Sequence, residues 1–452
     1  MKIIIVGCGK VGSTLAEHLN LEGHDITIID KHGDKLKFLS ERIDVLGVEG
    51  NGASISTQRE AGVQNSDILI ATTNSDELNL LCCLIAKKAG NCQTIARIRD
   101  PEYYHEMRYI RDELNLSMVI NPEQAAAAEI ARIIKFPSAM KVDTFAGGRV
   151  ELIKISIPEG SKLDGLQLLE MEKNLRCKVL ICTVERGEEL LIPHGDFTLK
   201  AGDIVSFIAP HQVALSFFKA GGANISGSVR SIMLIGGGMV SYYAAKRLEE
   251  TKISVKIIER DFERCQRLSE MLPNAVIING DGTDKQILDE EGIGVVDAVG
   301  NFTGIDEENI LLSLYEKGMT KAKLLTKINR ITFEEVIAGL NIGSIINPNS
   351  ITSDYIVRFV RALNNSKGSN VETLYKIAQG RAEALEFIVK DDSKVVGKPL
   401  MELNLKHDVI IACITRGNKV ITPGGHSVIE TGDSVVIVSA KPGLKDLEDI
   451  LA

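Results

Sequence analysis

The feature that most constrains this chain is that it repeats itself. IIIVGCGKVGSTLAEHLNLEGHDITIID (3–30) returns as IMLIGGGMVSYYAAKRLEETKISVKIIE (232–259) at an offset of 229, matching Gly7 to Gly236, Gly9 to Gly238 and Asp30 to Glu259. At an offset of 230, VLGVEGNGAS (45–54) pairs with AVIINGDGTD (275–284), and ATTNSDELN (71–79) with GNFTGIDEEN (300–309), aligning Asp76 with Asp306 and Asn79 with Asn309. A different kind of segment, VLICTVERGEELLIPHGDFTLKAGDIVSFIAP (179–210), resembles VIIACITRGNKVITPGGHSVIETGDSVVIVSA (409–440). The period is far too long for a solenoid. A chain of 452 residues also exceeds one ordinary core. The sequence therefore reads as a duplicated two-domain unit, with domains at 1–136, 137–220, 228–364 and 370–452.

The first unit of each pair alternates β-branched runs with helical patterns. In the first copy the strands are expected near 2–6, 25–29, 44–48, 67–71, 93–98 and 117–120. They are nearly continuous in apolar residues, as parallel strands buried on both faces should be. Segments such as VGSTLAEHLNLEG (11–23) have helical spacing and end at glycine. The fold class is α/β: two Rossmann-like doubly wound parallel-sheet domains. Each is followed by a small, β-rich α+β module with a helix or two, marked by RG and GD turns. Linkers are expected at 136–149, 218–230 and 363–370, where small and turn-forming residues gather.

Gly7-Cys8-Gly9-Lys10-Val11-Gly12 fits GxGxxG, follows a strand and opens a helix, and Asp30 lies 18 residues after Gly12. Gly7 permits the tight turn, Gly9 lets the backbone approach a pyrophosphate, and Gly12 lets the helix pack on the strand. The helix N-terminus offers free N–H groups to phosphates, which places Cys8, Lys10 and Val11 at the same site. Asp30, beside Lys31, can accept from ribose hydroxyls and would repel a 2′-phosphate, which favours NAD or an adenine nucleotide over NADP. Loops at the strand C-termini should line the same crevice: Asn51 with Gly52, and Thr72, Thr73 and Asp76. Arg97 and Arg99 are the nearest basic groups for phosphate. The second copy keeps Gly236, Gly238 and Glu259, with Met239 and Val240 opening its helix, but has Ser241 at the third glycine. It carries Lys327 and Asn329 where the first has the two arginines, so its site is expected to suit a triphosphate less well.

Other chemistry is poorly supported. A net charge of −9 argues against a nucleic-acid face. No window approaches the apolar run of a membrane span, and the N-terminus lacks a signal-peptide pattern, so a cytoplasmic chain is expected. The eight cysteines form no CxxC and lie beside no His cluster, so buried reduced thiols are expected rather than a metal site or disulfides. Catalytic residues are not evident: the eight histidines do not recur at matched positions of the α/β units, and no P-loop, HExxH, GxSxG or kinase motif occurs.

Taken together, IIIVGCGKVGSTLAEHL, EGNGAS, ATTNSDELNLL, ARIRDPEY and VINPE resemble the N-terminal nucleotide-binding domain of the TrkA family, also called KTN or RCK. The β-rich segments resemble its C-terminal domain, and the match covers nearly the whole chain. The resemblance implies a cytosolic regulatory subunit, attached peripherally beneath a Trk-type potassium-translocating membrane subunit and assembled as a homo-oligomeric ring, a dimer or tetramer. It implies NAD(H), and ATP or ADP, as ligands. It places Gly7, Gly9, Gly12 and Arg97 at phosphate, Asp30 at ribose, and Asp76 and Asn79 in the pocket loop. Asn51 stands where the family often has Asp, as the second copy does at Asp281. A regulator of another cation transporter or antiporter is the main alternative, and an NAD-dependent oxidoreductase a more distant one.

Overall fold

In the computed structural model, the described residues are 1–136, 138–221, 229–330, 342–365, 371–441 and 446–452, with 337, 339, 340, 443 and 444. The first α/β unit comprises β1 (Lys2–Val6), α1 (Lys10–Leu21), β2 (Asp25–Asp30), α2 (Gly33–Ser40), β3 (Leu46–Glu49), α3 (Ile55–Glu60), β4 (Ile68–Ala71), α4 (Asp76–Gly90), β5 (Gln93–Arg97), α5 (Pro101–Glu113), β6 (Met118–Ile120) and α6 (Pro122–Lys135). Its strands run parallel in the order β3-β2-β1-β4-β5-β6. Reversal of that order between β1 and β4 opens a crevice at the strand C-termini.

A β-rich module follows: β7 (Ala139–Phe145), β8 (Val150–Ser156), α7 (Leu168–Leu175), β9 (Leu180–Arg186), β10 (Glu189–Leu191), β11 (Ile204–Ala209) and α8 (His211–Gly221), with sheet order β10-β9-β11-β8-β7. The expected linker at 136–149 is instead largely β7, paired antiparallel with β8. Its Val142 and Phe145 are buried in two different cores, so the strand lacks a clean alternation and the flanking Pro and Gly residues obscured it. The expected linkers at 218–230 and 363–370 fall partly on helix ends and partly, at 222–228 and 366–370, outside the described residues. The turn signals have a physical basis. Gly187 and Gly202 take positive φ of 60° and 85°, and Asp203 ties the GD turn to Arg186 through two bonds of 2.7 Å.

The second half repeats this plan with β12 (Ser231–Ile235), α9 (Met239–Glu249), β13 (Ser254–Glu259), α10 (Phe262–Met271), β14 (Val276–Asn279), α11 (Lys285–Glu290), β15 (Ala298–Asn301), α12 (Asp306–Met319), β16 (Lys323–Lys327), β17 (Ser344–Ile346) and α13 (Pro348–Asn365). Its sheet order, β14-β13-β12-β15-β16-β17, matches the first. Strands β18 (Val371–Ile377), β19 (Ala382–Ile388), β20 (Val409–Arg416), β21 (Lys419–Ile421) and β22 (Ser434–Ser439) form the last sheet. Where the first β-rich module has α7 and α8, the described residues of this one have short 3₁₀ turns at Leu400–Glu402 and Leu447–Ile450.

The halves exchange helices. Ala126, Ala127, Ile130 and Ile134 of α6 join the core of the second α/β unit against Tyr243 and Ala244 of α9. Ile356, Val357 and Val360 of α13 join the first unit beside Leu15 and Leu19 of α1. The Arg361 guanidinium closes that contact on Glu22. The β-rich sheets also pack together, through Phe145, Leu152, Tyr375 and Val438, with Phe145 meeting Tyr375 edge-on at 4.9 Å. This reciprocal apolar burial packs the two halves against each other and brings their crevices together.

Candidate functional site

Each glycine loop is built by its backbone. Gly7 has φ of +104°, and a Cβ there would come within 3.0 Å of the Thr72 carbonyl. A Cβ on Gly12 would lie 1.9 Å from the Gly7 carbonyl oxygen. Gly9 differs: its φ is −83°, and a Cβ there would meet nothing within 4 Å. It faces open space, where a ligand would sit. In the second loop Gly236 repeats the strained position at +94°, and Gly238 repeats the open one. Ser241 takes the third place fully buried, donating its hydroxyl to the Gly236 carbonyl. The loop has adjusted around a side chain that the first loop has no room for.

The acidic residues ending the second strands hold these loops shut. Asp30 accepts from the Cys8 amide at 2.6 Å and the His32 amide at 2.9 Å. Glu259 accepts from Gly237 at 2.7 Å and Asp261 at 2.8 Å. Helices α1 and α9 begin without a side-chain cap and without an acidic residue in the first turn. By contrast, α4 is capped by Ser75, α6 by Asn121 and α10 by Asp261. Two uncapped N-termini, with unpaired N–H groups and partial positive charge, are suited to anions.

Both loops open on one cavity of about 1120 Å³ between the halves, lined by Cys8–Val11, Thr72, Arg97 and Arg99 from the first, and by Gly236–Val240, Glu259, Asp281, Phe302–Ile305 and Lys327 from the second. Arg97 is only 7% exposed. One nitrogen donates to the Thr73 carbonyl at 2.7 Å, while its Nε is buried without a partner. Burial, and then repulsion from Arg99, lower its pKa, so an anion placed here would be favoured by both. Lys327 donates to the Phe302 carbonyl at 3.1 Å. Its pKa is lowered by burial, with Lys10 of the first half adding to the effect and Asp306 and Glu123 opposing it. Arg99 pairs with Glu123 at 2.6 Å.

Residues 3–122 and 232–348 match the model of the TrkA-N domain, and residues 152–220 and 384–452 that of the TrkA-C domain. The chain belongs to the TrkA family. It is 34% identical over 450 residues to a Trk system potassium uptake protein TrkA homolog of Archaeoglobus fulgidus, covering 100% of each chain. It is 33% identical to the Trk system potassium uptake protein TrkA of Halomonas elongata, covering 99% of this chain and 98% of that one. The same protein of Haemophilus influenzae is 33% identical, with 100% and 98% covered. Among solved structures, the GsuK channel bound to NAD superposes with a TM-score of 0.62 at 15% identity, covering 97% of this chain and 76% of the other. The GsuK RCK domain gives 0.62 at 16%, covering 97% and 92%. These two likenesses are of fold.

Within this TrkA-family chain several expected contact residues lie behind the cavity wall. Asn79 is fully buried; its amide is spent on Thr73 and on the Arg97 carbonyl at 2.8 Å. Asp76 accepts from the Arg99 and Asp100 amides at 2.8 and 2.9 Å. Both fix the Arg97–Arg99 strand end instead of lining the cavity. Thr73 donates its hydroxyl to Asn79 at 2.7 Å. Gly52 packs its Cα against Val6, where a Cβ would approach to 2.1 Å. Asn51 accepts from the Ala53 amide at 3.1 Å, and neither it nor Lys31 lines the cavity. Asp30, Gly7 and Gly12 shape the loop from behind.

The sequence reading missed Arg260, Arg264 and Arg267, which line the second half of the cavity. They add positive charge beside Asn329, which stands where the first half has the Arg99 guanidinium. Arg264 and Arg267, three apart on α10, with Arg260 just before the helix, were the available signal, and the first half has Lys31, Lys35 and Phe38 at these positions. All eight cysteines are buried and unbridged, and burial pushes the Cys82 thiol up to about 12.

Proposed function

We propose that this chain is a cytosolic regulatory subunit that senses nucleotides and sets the activity of a Trk-type potassium-translocating membrane protein, to which it attaches peripherally. The observation that carries the reading is the pair of bare helix N-termini facing one basic crevice, with the buried and partly unpartnered Arg97 between them. NAD(H), and ATP or ADP, are the proposed ligands. The fold-sharing GsuK channel is bound to NAD in one structure and to ADP in another. Gly9 with the α1 N–H groups and Arg97 would take the phosphates of the first nucleotide. Gly238, Lys327 and the α10 arginines would take those of the second. The role is regulatory rather than catalytic, and the working form a homo-oligomeric ring of two or four chains.

Coupling between the sites has a physical route. Tyr243 on α9, the helix that the second glycine loop opens, donates to the Arg99 carbonyl at 3.0 Å and accepts from Asn121 at 3.1 Å. A nucleotide that shifts α9 therefore pulls on the strand end carrying Arg97. Ligands preferring different closures would shift the shape of the assembly, with coupling of roughly 1–3 kcal/mol.

The test is potassium flux through the membrane subunit reconstituted with this chain. Gly9→Leu should preserve the fold, because its backbone is extended and its Cβ direction is empty, and should abolish the response to added nucleotide. A nucleotide response unchanged by both Gly9→Leu and Gly238→Leu would overturn the reading.

A further inference from the structure

The second α/β core contains a buried polar cluster that the first lacks. Asn301 at the end of β15, Ser313 and Glu316 on one face of α12, and Thr326 on β16 are all fully buried. The same repeat positions in the first half, at the offset of 230, hold Ala71, Cys83, Ala86 and Ala96, equally buried. A core that is apolar in one copy has become a hydrogen-bonded chain in the other. Asn301 Nδ2 donates to Glu316 Oε2 at 2.7 Å and to Ser313 Oγ at 2.8 Å. Ser313 Oγ meets Thr326 Oγ1 at 2.6 Å, and Thr326 donates to the Ile342 carbonyl at 2.7 Å.

Two atoms of this cluster have no partner: Glu316 Oε1 and Asn301 Oδ1. No cation among the described residues answers the carboxylate. On β16, Lys323 donates to the Ala139 carbonyl and Lys327 to that of Phe302. On α12, Lys317 reaches the Leu340 carbonyl at 3.4 Å, while Asp306 is held by the Asn329 and Arg330 amides. On β15 no side chain is charged. An isolated buried carboxylate is costly when ionised. Burial raises its pKa to about 7, against the opposing bond from Asn301.

We propose that Glu316 is a proton-binding site, and that the Asn301 amide relays its protonation to the adjoining Phe302–Ile305 stretch of the crevice. The ionised carboxylate accepts from the amide NH₂. A protonated carboxyl instead needs an acceptor, which the amide supplies by turning its Oδ1 inward. That turn makes Ser313, whose hydroxyl otherwise donates to the Asn309 carbonyl at 2.9 Å, a donor to Asn301 instead. The residues after Asn301, Phe302 to Ile305, line the cavity. The relay to that stretch rests on the nucleotide reading, whereas proton uptake does not.

The two parts are tested separately on the full chain. Between pH 5 and pH 8, urea midpoints of the wild type should fall with rising pH relative to those of Glu316→Gln. Parallel profiles would overturn proton uptake. So would a gain at pH 8, on adding sodium, potassium or calcium chloride, that the wild type shows and the variant lacks, because a metal cation would then be the partner. If Glu316→Gln does not fold, the combined Asn301→Ala, Ser313→Cys, Glu316→Ala and Thr326→Ala replacement, which installs the first half's residues, takes its place as the reference. A wild-type profile parallel to it would overturn the site. For the relay, ADP calorimetry at pH 6 and pH 8 should show a several-fold affinity difference that the folded variant loses. Equal affinities, or no ADP binding at either pH, would overturn the relay and leave the stability profile to decide proton uptake.

Discussion

The two α/β units share strand order, glycine loop and crevice, yet their interiors solve different problems. The first fills the space between α4, β4 and β5 with Ala71, Cys83, Ala86 and Ala96; the second fills the matching space with Asn301, Ser313, Glu316 and Thr326. The first loop needs glycine at position 12, while the second accommodates Ser241 by bonding it to Gly236. The fold is set by what the backbone requires: left-handed φ at Gly7 and Gly236, and a carboxylate closing each loop. The side chains behind that frame were free to diverge, and the two halves line the shared crevice with different residues.

The comparison is most easily broken by moving the buried charge. Ala86→Glu puts a carboxylate into the first core without an amide or hydroxyl partner, and should cost on the order of 4 kcal/mol in a urea titration. A loss under 1 kcal/mol would mean that this core hydrates readily and that the polar chain of the second half is unnecessary. The native Glu316 has a raised folded pKa, from 4.5 to about 7. The folded state then binds more protons than the unfolded one across that window. The contribution of Glu316 to stability is therefore fully present below pH 4.5, is lost as pH rises toward 7 and is gone beyond, a span of roughly 3 kcal/mol.

Smaller effects sharpen the contrast between the loops. Gly12→Ala drives a methyl group into the Gly7 carbonyl and should cost about 1–3 kcal/mol by overpacking. Ser241→Ala at the matching place removes one hydrogen bond and should cost about 1 kcal/mol. Thermal melts of the two variants check the order, and equal losses would remove the distinction. Arg97→Gln should weaken nucleotide binding at one site by roughly ten- to a hundredfold, the value of a charge-assisted bond. Titration calorimetry reads that directly.

The architecture was legible because buried parallel strands are continuous apolar runs and because the chain states its pattern twice. The glycine loops and Asp30 were legible for the same reason. The exchange of α6 and α13 was not, since an apolar helix face does not say which half it covers. Asp76 looked like a pocket residue because polar groups at strand ends line such crevices, and the family resemblance added Asn79. The structure spends both on neighbouring backbone amides and carbonyls. The α10 arginines looked like ordinary solvated charges until α10 was placed beside the crevice. Glu316 was hidden within a helix whose other glutamates are solvent-facing.

Calorimetric titration of the wild type, Gly9→Leu and Gly238→Leu with NADH and with ADP tests most directly the proposal that each half of the shared crevice binds its own nucleotide. The wild type should show two binding events of different affinity, with each substitution removing one of them and leaving the melting temperature unchanged. Absence of binding to the wild type, or loss of neither event in the two variants, would contradict it.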